Sequence, residues 1–172
     1  MRVAIIGHRE VQDKENVVVR IYETVLDLIV NQGADTFLFG GKGEFDSLCF
    51  YAVTEMQKIY SHIRTIYVSA GSEEREKSHK KFFLETYDET FYPDRVKNSR
   101  RLCYVLRNVV MIEACEVLLT YCAPNYEPPR KRRKNEPTSS IDESKKTKSG
   151  TQMAVAYAMQ KNKRVINVFE QK

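Results

Sequence analysis

Five short runs of apolar, β-branched and aromatic residues recur along the chain, and each is followed by a helical pattern or a loop. They cover residues 3–6, 36–39, 63–68, 117–121 and 165–168. None shows the strict apolar–polar alternation of a strand with one face in water, so we expect strands that are buried on both faces. The pattern predicts about five strands in a covered sheet.

Between these runs, apolar residues repeat at intervals of three and four, which is the pattern of a helix with one buried face. The repeats fall in residues 17–29, 45–60 and 102–112. A left-handed cap at Gly33 is expected to end the first helix. Buried strands that alternate with helices predict an α/β fold. We expect a three-layer, Rossmann-like, doubly wound sheet of mainly parallel strands with helices on both faces.

The length of 172 residues and the hydrophobic content of 42% suit one domain, which we expect to span residues 1–172. Two stretches do not fit the alternation. Residues 69–98 are mixed, with a candidate short helix at 80–84 and an aromatic and acidic loop at 87–93. Residues 124–148 are rich in Pro, Ser, Lys and Arg, so burial cannot offset the entropy of ordering them. We predict a disordered basic insertion there.

The formal net charge of +5 raises the question of a nucleic-acid partner. Residues 124–149 hold eight Lys and Arg against four Asp and Glu, so nearly all of the excess lies in the insertion. The basic cluster at 130–134 keeps single-stranded nucleic-acid binding open, although no stacking platform accompanies it. A solvated charge run is the commoner explanation of such a cluster, and a nuclear-import patch is the other. The composition therefore does not favour a nucleic-acid partner.

No apolar run approaches the roughly 20 residues that span a bilayer, and the amino terminus opens directly into a strand pattern. We therefore expect a cytoplasmic protein with no membrane partner. The four cysteines form no C-x-x-C pair, and three of them fall at positions that a helix or strand would bury. We expect buried thiols rather than a metal site, and no bound cofactor.

The residues that follow the predicted strands carry the candidate chemistry. In an open parallel sheet, ligands bind beyond the carboxyl ends of the strands, where loops meet the amino termini of helices. Glycines there let backbone amides approach an anion, and a hydroxyl group can add a hydrogen bond, so phosphate is the expected guest. The predicted ligand-binding residues are Gly7, His8, Arg9, Gly40, Gly41, Gly43, Arg107, Asn108, Ser149, Gly150 and Thr151.

Each of these loops also has a purely structural explanation. Gly40, Gly41 and Gly43 can form a tight turn, and Ser149 can simply cap a helix. Residues 40–43 match neither G-x-x-x-x-G-K-[ST] nor G-x-G-x-x-G, so ordinary ATPase and dehydrogenase assignments lack support. Three such loops at one edge favour a ligand site over three independent turns.

Five side chains are candidates for contact with a reacting group. Arg107 and Asn108 are predicted on the polar side of the third helix, where the guanidinium could grip a phosphate or remain a surface charge. His8 could act as an acid or base near neutral pH, or only cap a loop. Glu44 and Asp46 could serve in catalysis or complement the dipole at the start of the second helix.

Taken in order, these residues resemble the SLOG superfamily, which includes the lonely guy (LOG) phosphoribohydrolases, the DprA/Smf DNA-processing proteins and many small bacterial members. Lonely guy enzymes carry G-G-G-x-x-G-L-M-G, then R-K-x-x-M on a helix, then P-G-G-x-G-T-x-x-E. The similar stretches here are residues 39–43, 107–111 and 148–154. The resemblance covers nearly the whole chain outside the insertion, and it implies a nucleotide site at these loops.

The resemblance also bears on activity. In lonely guy enzymes the motif arginine and the glutamate after G-T-x-x act in cleaving the bond between base and ribose phosphate. Arg107 matches the first, whereas Ala154 stands in place of the glutamate. We therefore favour binding or sensing of a nucleotide-derived small molecule. The alternatives are a nucleotide N-glycosidase, with Glu44 or Asp46 as the carboxylate, and DprA-like binding of single-stranded DNA. The dimers of the lonely guy relatives imply a homo-oligomer.

Overall fold

The computed structural model describes residues 1–71, 85–97, 99, 102–126 and 149–169. These described residues form six β-strands, four α-helices and one short 3-10 turn at Asp94–Val96. The strands are β1 (Arg2–Ile5), β2 (Thr36–Phe39), β3 (Arg64–Val68), β4 (Glu89–Phe91), β5 (Val117–Thr120) and β6 (Arg164–Asn167). The helices are α1 (Lys14–Val30), α2 (Glu44–Gln57), α3 (Cys103–Glu113) and α4 (Gly150–Gln160).

The six strands form one sheet in the order β4-β3-β2-β1-β5-β6, and every neighbouring pair is parallel. The chain winds from β1 outward to β4, returns across the sheet, and adds β5 and β6 on the other side of β1. Right-handed crossovers then put α1 and α2 on one face and α3 and α4 on the other. Helix α1 packs beside α2, and α3 beside α4. The predicted Rossmann-like, doubly wound α/β architecture is confirmed.

Two apolar cores fill the layers between the sheet and its helices. In the first core, Val3 of β1 is buried with Phe45 of α2. In the second core, the next residue of β1, Ala4, is buried with Ile112 of α3 and Ala158 of α4. Successive side chains of a strand point to opposite faces, so both faces of β1 are covered. This double burial explains why the strands lack polar alternation.

Five of the strands coincide with the predicted apolar runs to within one residue at either end, and Gly33 takes the expected left-handed conformation after α1, with φ of 71°. The sixth strand, β4, is not among the predicted runs. Its three residues lie at the edge of the sheet, and all of them are at least partly exposed. Because such an edge strand needs no apolar run, the prediction of a loop at 87–93 is wrong for residues 89–91.

Part of the sequence prediction lies outside the described residues, namely the candidate helix at 80–84 and residues 127–148 of the basic insertion. Residues 124–126, at the start of the predicted insertion, are described, and the Tyr126 ring packs against His8. Among the helices that the structure describes, none is both long and apolar enough to cross a membrane.

Candidate ligand-binding site

The carboxyl ends of β1 and β5 mark the point at which the winding of the sheet reverses. From β1 the chain turns toward β2 over one face, whereas from β5 it turns toward β6 over the other face. In open α/β sheets the loops after two such strands diverge, and ligands bind in the crevice between them, here at the ends of β1 and β5. Ile5 is paired with Leu119, and the His8 N–H donates to the Tyr121 carbonyl at 3.0 Å. Both strands therefore reach this edge together.

The loop after β1 is packed tightly against the loop after β2, and Glu44 links them. The Glu44 N–H donates to the Arg9 carbonyl at 2.8 Å, and its carboxylate accepts from the Val11 N–H at 2.8 Å. Lys14 Nζ lies 2.5 Å from the same carboxylate, and the hydrogen bonds from Lys14 and from the Val11 N–H lower the pKa of Glu44. Gly43 has φ of 95°, and a Cβ on it would lie 2.7 Å from Arg9 Cα. Glu44 and Gly43 thus join the two loops.

Gly7 has a packing role. A Cβ at this position would overlap the ring of Phe45, which is fully buried at the start of α2. The Phe45 ring in turn lies against Tyr121, with centroids 6.0 Å apart. Since glycine has no side chain, the start of α2 can approach the end of β1 closely. The need for glycine at this position follows from packing alone.

The loop after β2 is closed by a side chain of the helix that follows it. Asp46 is 5% exposed, and its two carboxylate oxygens accept the N–H groups of Gly40 at 3.1 Å and Gly41 at 3.0 Å. Gly41 has φ of 61°, and a Cβ on it would lie 2.8 Å from the Tyr67 ring. Successive amides that point at one position form an anion-binding concavity. Asp46 itself fills the concavity that the sequence assigns to phosphate.

Arg107 of α3 holds the other side of the same peptide segment. Its Nη1 donates to the Gly40 carbonyl at 2.6 Å, and its Nε donates to Asn108 Oδ1 at 2.9 Å. The Arg107 side chain is 6% exposed, so its predicted position on the polar side of the helix is wrong. A Cβ on Gly40 would overlap the guanidinium, so this contact requires glycine.

Burial dominates the charge properties of Asp46 and Arg107. It raises the pKa of the Asp46 carboxyl from 3.8 to about 6, against the opposing effects of Arg107 and of the amides of residues 40–42. It lowers the pKa of the Arg107 guanidinium, which the Asp46 carboxylate opposes. Arginine stays protonated in proteins, so Asp46 titrates beside a fixed buried cation. The two side chains hold the Gly40 peptide between them.

His8 lies in the crevice at the end of β1 and is 2% exposed. Its ring stacks on Tyr126, with centroids 3.7 Å apart and 12° between the planes, and it meets Tyr121 edge-on at 6.1 Å. Burial lowers the pKa of the imidazole, and a hydrogen bond to the backbone of Ala123 opposes that shift. The Nε2 atom of His8 is buried, and it has no hydrogen-bond partner among the described residues.

Thr120 is the last residue of β5, and it is fully buried. Within the described part of the chain its Oγ1 also has no hydrogen-bond partner. Leu118, two residues earlier, belongs to the second core, so Thr120 faces the layer of α3 and α4. Buried polar atoms in proteins are nearly always hydrogen-bonded. His8 Nε2 and Thr120 Oγ1, at the ends of adjacent strands, are exceptions to this rule.

The amino terminus of α4 forms the third predicted loop. Ser149 caps the helix, because its Oγ accepts the Gln152 N–H at 3.1 Å while Gln152 Oε1 accepts the Ser149 N–H at 2.8 Å. Gly150 is exposed, and a Cβ on it would meet no atom within 4 Å. Open space therefore lies beside the first turn, which carries the positive end of the helix dipole.

The predicted residues fall into two groups. Asn108 contacts both: its Oδ1 accepts from Arg107, and it lines a groove of about 320 Å³ between α3 and α4 together with Gly150 and Ala154. The group that builds the closed loop after β2 comprises Gly40, Gly41, Gly43, Glu44, Asp46 and Arg107. The group that follows β1 or opens α4 comprises Gly7, His8, Arg9, Ser149, Gly150 and Thr151.

Three residues of the crevice were missed by sequence reasoning. Thr120 and Tyr121 belong to the predicted strand at 117–121, where they count only as core positions. Tyr126 lies in the stretch that is predicted as a disordered insertion. The available signal was a Thr-Tyr pair at the end of an apolar run, followed by another aromatic residue a few positions later.

The fold and this crevice define the class of protein, a Rossmann-like α/β domain with a candidate site at the switch point of its sheet. No protein-family model matches the chain, and no curated protein shows significant sequence similarity to it. The resemblance to the SLOG superfamily therefore stays a prediction. In the described ranges, no group of three or more His, Cys, Asp or Glu side chains is arranged to hold a metal ion.

Proposed function

We propose that this protein binds a nucleotide or a nucleotide-derived small molecule in the crevice between β1 and β5. The observation that carries the proposal is the pair of buried, unpartnered polar atoms, His8 Nε2 and Thr120 Oγ1, at the ends of the described strands. They lie at the switch point of the sheet, on the edge where α4 also begins. Ligand sites in open α/β sheets lie at this point and combine apolar walls with a few polar groups, which supports the proposal.

We assign the anionic part of the ligand to the start of α4. The capping box holds the amides of Ser149 and Gln152, so we assign the phosphate to the amides of Gly150 and Thr151, which the open space at Gly150 makes accessible. Arg9, exposed on the loop after β1, adds a positive charge at the same edge of the sheet. The loop after β2 receives no phosphate in this proposal, because Asp46 already occupies its amides.

The contacts favour binding over turnover. The carboxylate of Glu44 is held by the loop after β1, and that of Asp46 by the loop after β2. Ala154, at the position of the lonely guy glutamate, is apolar and buried. The resemblance to the sensing members of the SLOG superfamily supports the same conclusion. On that resemblance we also propose a homo-oligomer, and on the sequence pattern a cytoplasmic protein.

A thermal-shift screen of the full chain tests the proposed function. The panel contains nucleoside mono-, di- and triphosphates, cyclic nucleotides, dinucleotide cofactors and a single-stranded oligonucleotide. A ligand at 100 times its Kd stabilises the fold by about 2.7 kcal/mol. For a chain of this size that raises Tm by roughly 5–10 °C. Ligand recovered intact supports binding, whereas consumed ligand would favour the glycosidase alternative. A panel without any shift would contradict the proposal.

A matched pair of variants tests the assignment of the anionic group. Gly150→Asp adds a negative charge at the start of α4, where a carboxylate suits the helix dipole and the space is open. We expect it to keep the Tm of the free protein and to abolish the shift with phosphorylated ligands. Gly150→Asn has the same size without the charge and should retain most of the shift. Equal shifts in both variants would move the phosphate away from α4.

A further inference from the structure

The ring of His8 has a fixed orientation. Its backbone extends the pairing of β1 with β5 through the bond to the Tyr121 carbonyl. Tyr126 covers one face of the ring, and Tyr121 meets it edge-on. The ring also bonds the backbone of Ala123. Because Nε2 has no partner in the described residues, the Ala123 bond belongs to Nδ1.

This arrangement defines the chemistry that Nε2 offers. Burial lowers the pKa of His8 below its usual 6.5, which favours the neutral imidazole. The bond to the Ala123 backbone favours a proton on Nδ1, which leaves a lone pair on Nε2. An unpaired lone pair inside the protein accepts a hydrogen bond and repels an anion. It is therefore suited to a neutral donor and unsuited to a phosphate oxygen.

Thr120 offers a second polar atom on the neighbouring strand. Its Oγ1 is buried and unpartnered in the described structure, one position beyond the paired residues Ile5 and Leu119. A hydroxyl can donate and accept, so it complements an acceptor nitrogen in binding a group that does both. Leaving such atoms unpaired inside a protein is costly, and a ligand that supplies the partner relieves this cost.

We propose that His8 Nε2 and Thr120 Oγ1 form a neutral subsite that binds an uncharged donor group of the ligand, a hydroxyl or an amino group, and that Tyr126 covers this subsite when it is empty. Tyr126 is partly buried, whereas His8 and Tyr121 are buried. The inference rests on the proposed function and adds to it. The anion binds at α4, and a neutral part of the same molecule binds at His8.

The probe for this subsite is adenosine 5′-monophosphate, because it carries a phosphate, two ribose hydroxyls and an exocyclic amino group. His8→Phe keeps an aromatic ring for the stack but removes the acceptor, together with the bond to Ala123, and Thr120→Val keeps the shape but removes the hydroxyl. Each variant should weaken AMP binding by roughly 3- to 10-fold, the effect of one lost hydrogen bond. His62→Phe, at an exposed histidine, is the control and should bind AMP as the wild type does.

Three analogues distinguish the two sources of the donor. 2′-Deoxy-AMP and 3′-deoxy-AMP each lack one hydroxyl, and inosine 5′-monophosphate lacks the amino group. The analogue that lacks the recognised donor should bind the wild type roughly 3- to 10-fold more weakly than AMP and should show no further loss in His8→Phe. Tyr126→Ala should bind AMP at least as tightly as the wild type, because the cover no longer competes.

Nitrogen NMR of the histidine rings gives a readout that a general loss of stability would not produce. In the free protein His8 Nε2 should resonate as an unprotonated nitrogen at pH 7, and AMP should shift that resonance. AMP binding with an unchanged Nε2 signal and an unchanged affinity in His8→Phe would overturn this inference and leave the proposed function standing. Failure of AMP alone would also overturn it, and failure of the entire nucleotide panel would overturn both.

Discussion

The end of β2 and the ends of β1 and β5 lie on the same edge of the sheet, but they differ in how their polar groups are satisfied. At β2, Asp46 accepts the amides of Gly40 and Gly41, and Arg107 donates to the Gly40 carbonyl. At β1 and β5, buried atoms of His8 and Thr120 have no partner in the described residues. The first region is complete in the free protein, and the second is not.

This difference shows that a glycine-rich loop after a strand does not by itself identify a phosphate site. Gly40, Gly41 and Gly43 are all explained by close approach or by positive φ within the loop. The protein supplies its own anion to the amides, so no ligand is needed there. The proposed ligand site therefore rests on the unpaired atoms and not on the glycines.

The largest expected effect comes from opening the closed loop. Gly40→Ala would force its Cβ onto the Arg107 guanidinium, so the variant must lose that buried hydrogen bond or shift the loop. We expect the free energy of unfolding to fall by about 3 kcal/mol or more. Gly150→Ala is the matched control, because its Cβ meets open space at a helix position, and it should be neutral or slightly stabilising. Equal changes in stability for Gly40→Ala and Gly150→Ala, measured by urea denaturation, would show that the closed loop does not depend on the contact between Gly40 and Arg107.

The pH dependence of stability tests the buried Asp46. Its folded pKa of about 6 lies above the ordinary 3.8, so its contribution to stability is present below about 3.8 and is lost as pH rises through about 6. The difference corresponds to about 3 kcal/mol. Between pH 4 and pH 7.5, the free energy of unfolding of wild type should therefore fall by about that amount relative to that of Asp46→Asn.

Asp94→Asn is the control of opposite sign. Lys97 lowers the pKa of the exposed Asp94 carboxyl, so the Asp94 contribution is lost as pH falls. The stability of wild type should therefore increase relative to that of Asp94→Asn as the pH rises. If the stability of wild type relative to Asp46→Asn stays constant with pH, or rises with pH as it does relative to Asp94→Asn, Asp46 is not buried as described.

Two buried threonines, one with a hydrogen-bonded hydroxyl and one without, provide a smaller test of the same difference. Thr65 Oγ1 donates to Asp88 Oδ2 at 2.9 Å, whereas the Oγ1 of Thr120 has no partner in the described structure. Thr65→Val should cost about 1–3 kcal/mol by leaving Asp88 short of a bond. Thr120→Val should cost nothing and can stabilise the free protein by about 1 kcal/mol. A Thr120→Val variant as unstable as Thr65→Val would mean that its hydroxyl is already paired.

The smallest effect is expected at the cap of α4. Ser149→Ala removes the oxygen that accepts the Gln152 N–H, and loss of such a cap costs about 1 kcal/mol. Ser149→Thr keeps the hydroxyl and should retain most of the stability. Thermal unfolding of the three proteins measures the difference. If Ser149→Thr is as unstable as Ser149→Ala, the effect comes from packing around residue 149 and not from the cap.

The fold could be predicted because its signals are local. Buried parallel strands are continuous apolar runs, and five of the six strands stand out for that reason. The exception, β4, is held at the edge by pairing with β3 and includes the exposed Glu89, so no local pattern announces it. Gly33 was predictable because a helix end favours a residue that tolerates positive φ.

The candidate site was only partly predictable, because the hydrogen-bond partners of its polar groups are set by the folded structure and not by the local sequence. The sequence places Asp46 near the start of α2, but it does not reveal that the carboxylate turns back onto Gly40 and Gly41. The inward turn of Arg107 depends on the approach of α3 to residue 40, which lies 67 positions away. Likewise, the lack of hydrogen-bond partners for His8 Nε2 and Thr120 Oγ1 is evident only once β1 and β5 lie side by side.

Backbone NMR of the 20.1 kDa chain, titrated with the nucleotide of the panel that binds most tightly, locates the ligand on the sheet edge. We expect shifts at residues 7–9, 120–126 and 149–152, with the amides of Gly40 and Gly41 unchanged because they stay bonded to Asp46. Shifts confined to residues 40–43, with a silent crevice, would contradict this expectation and return the ligand to the loop after β2.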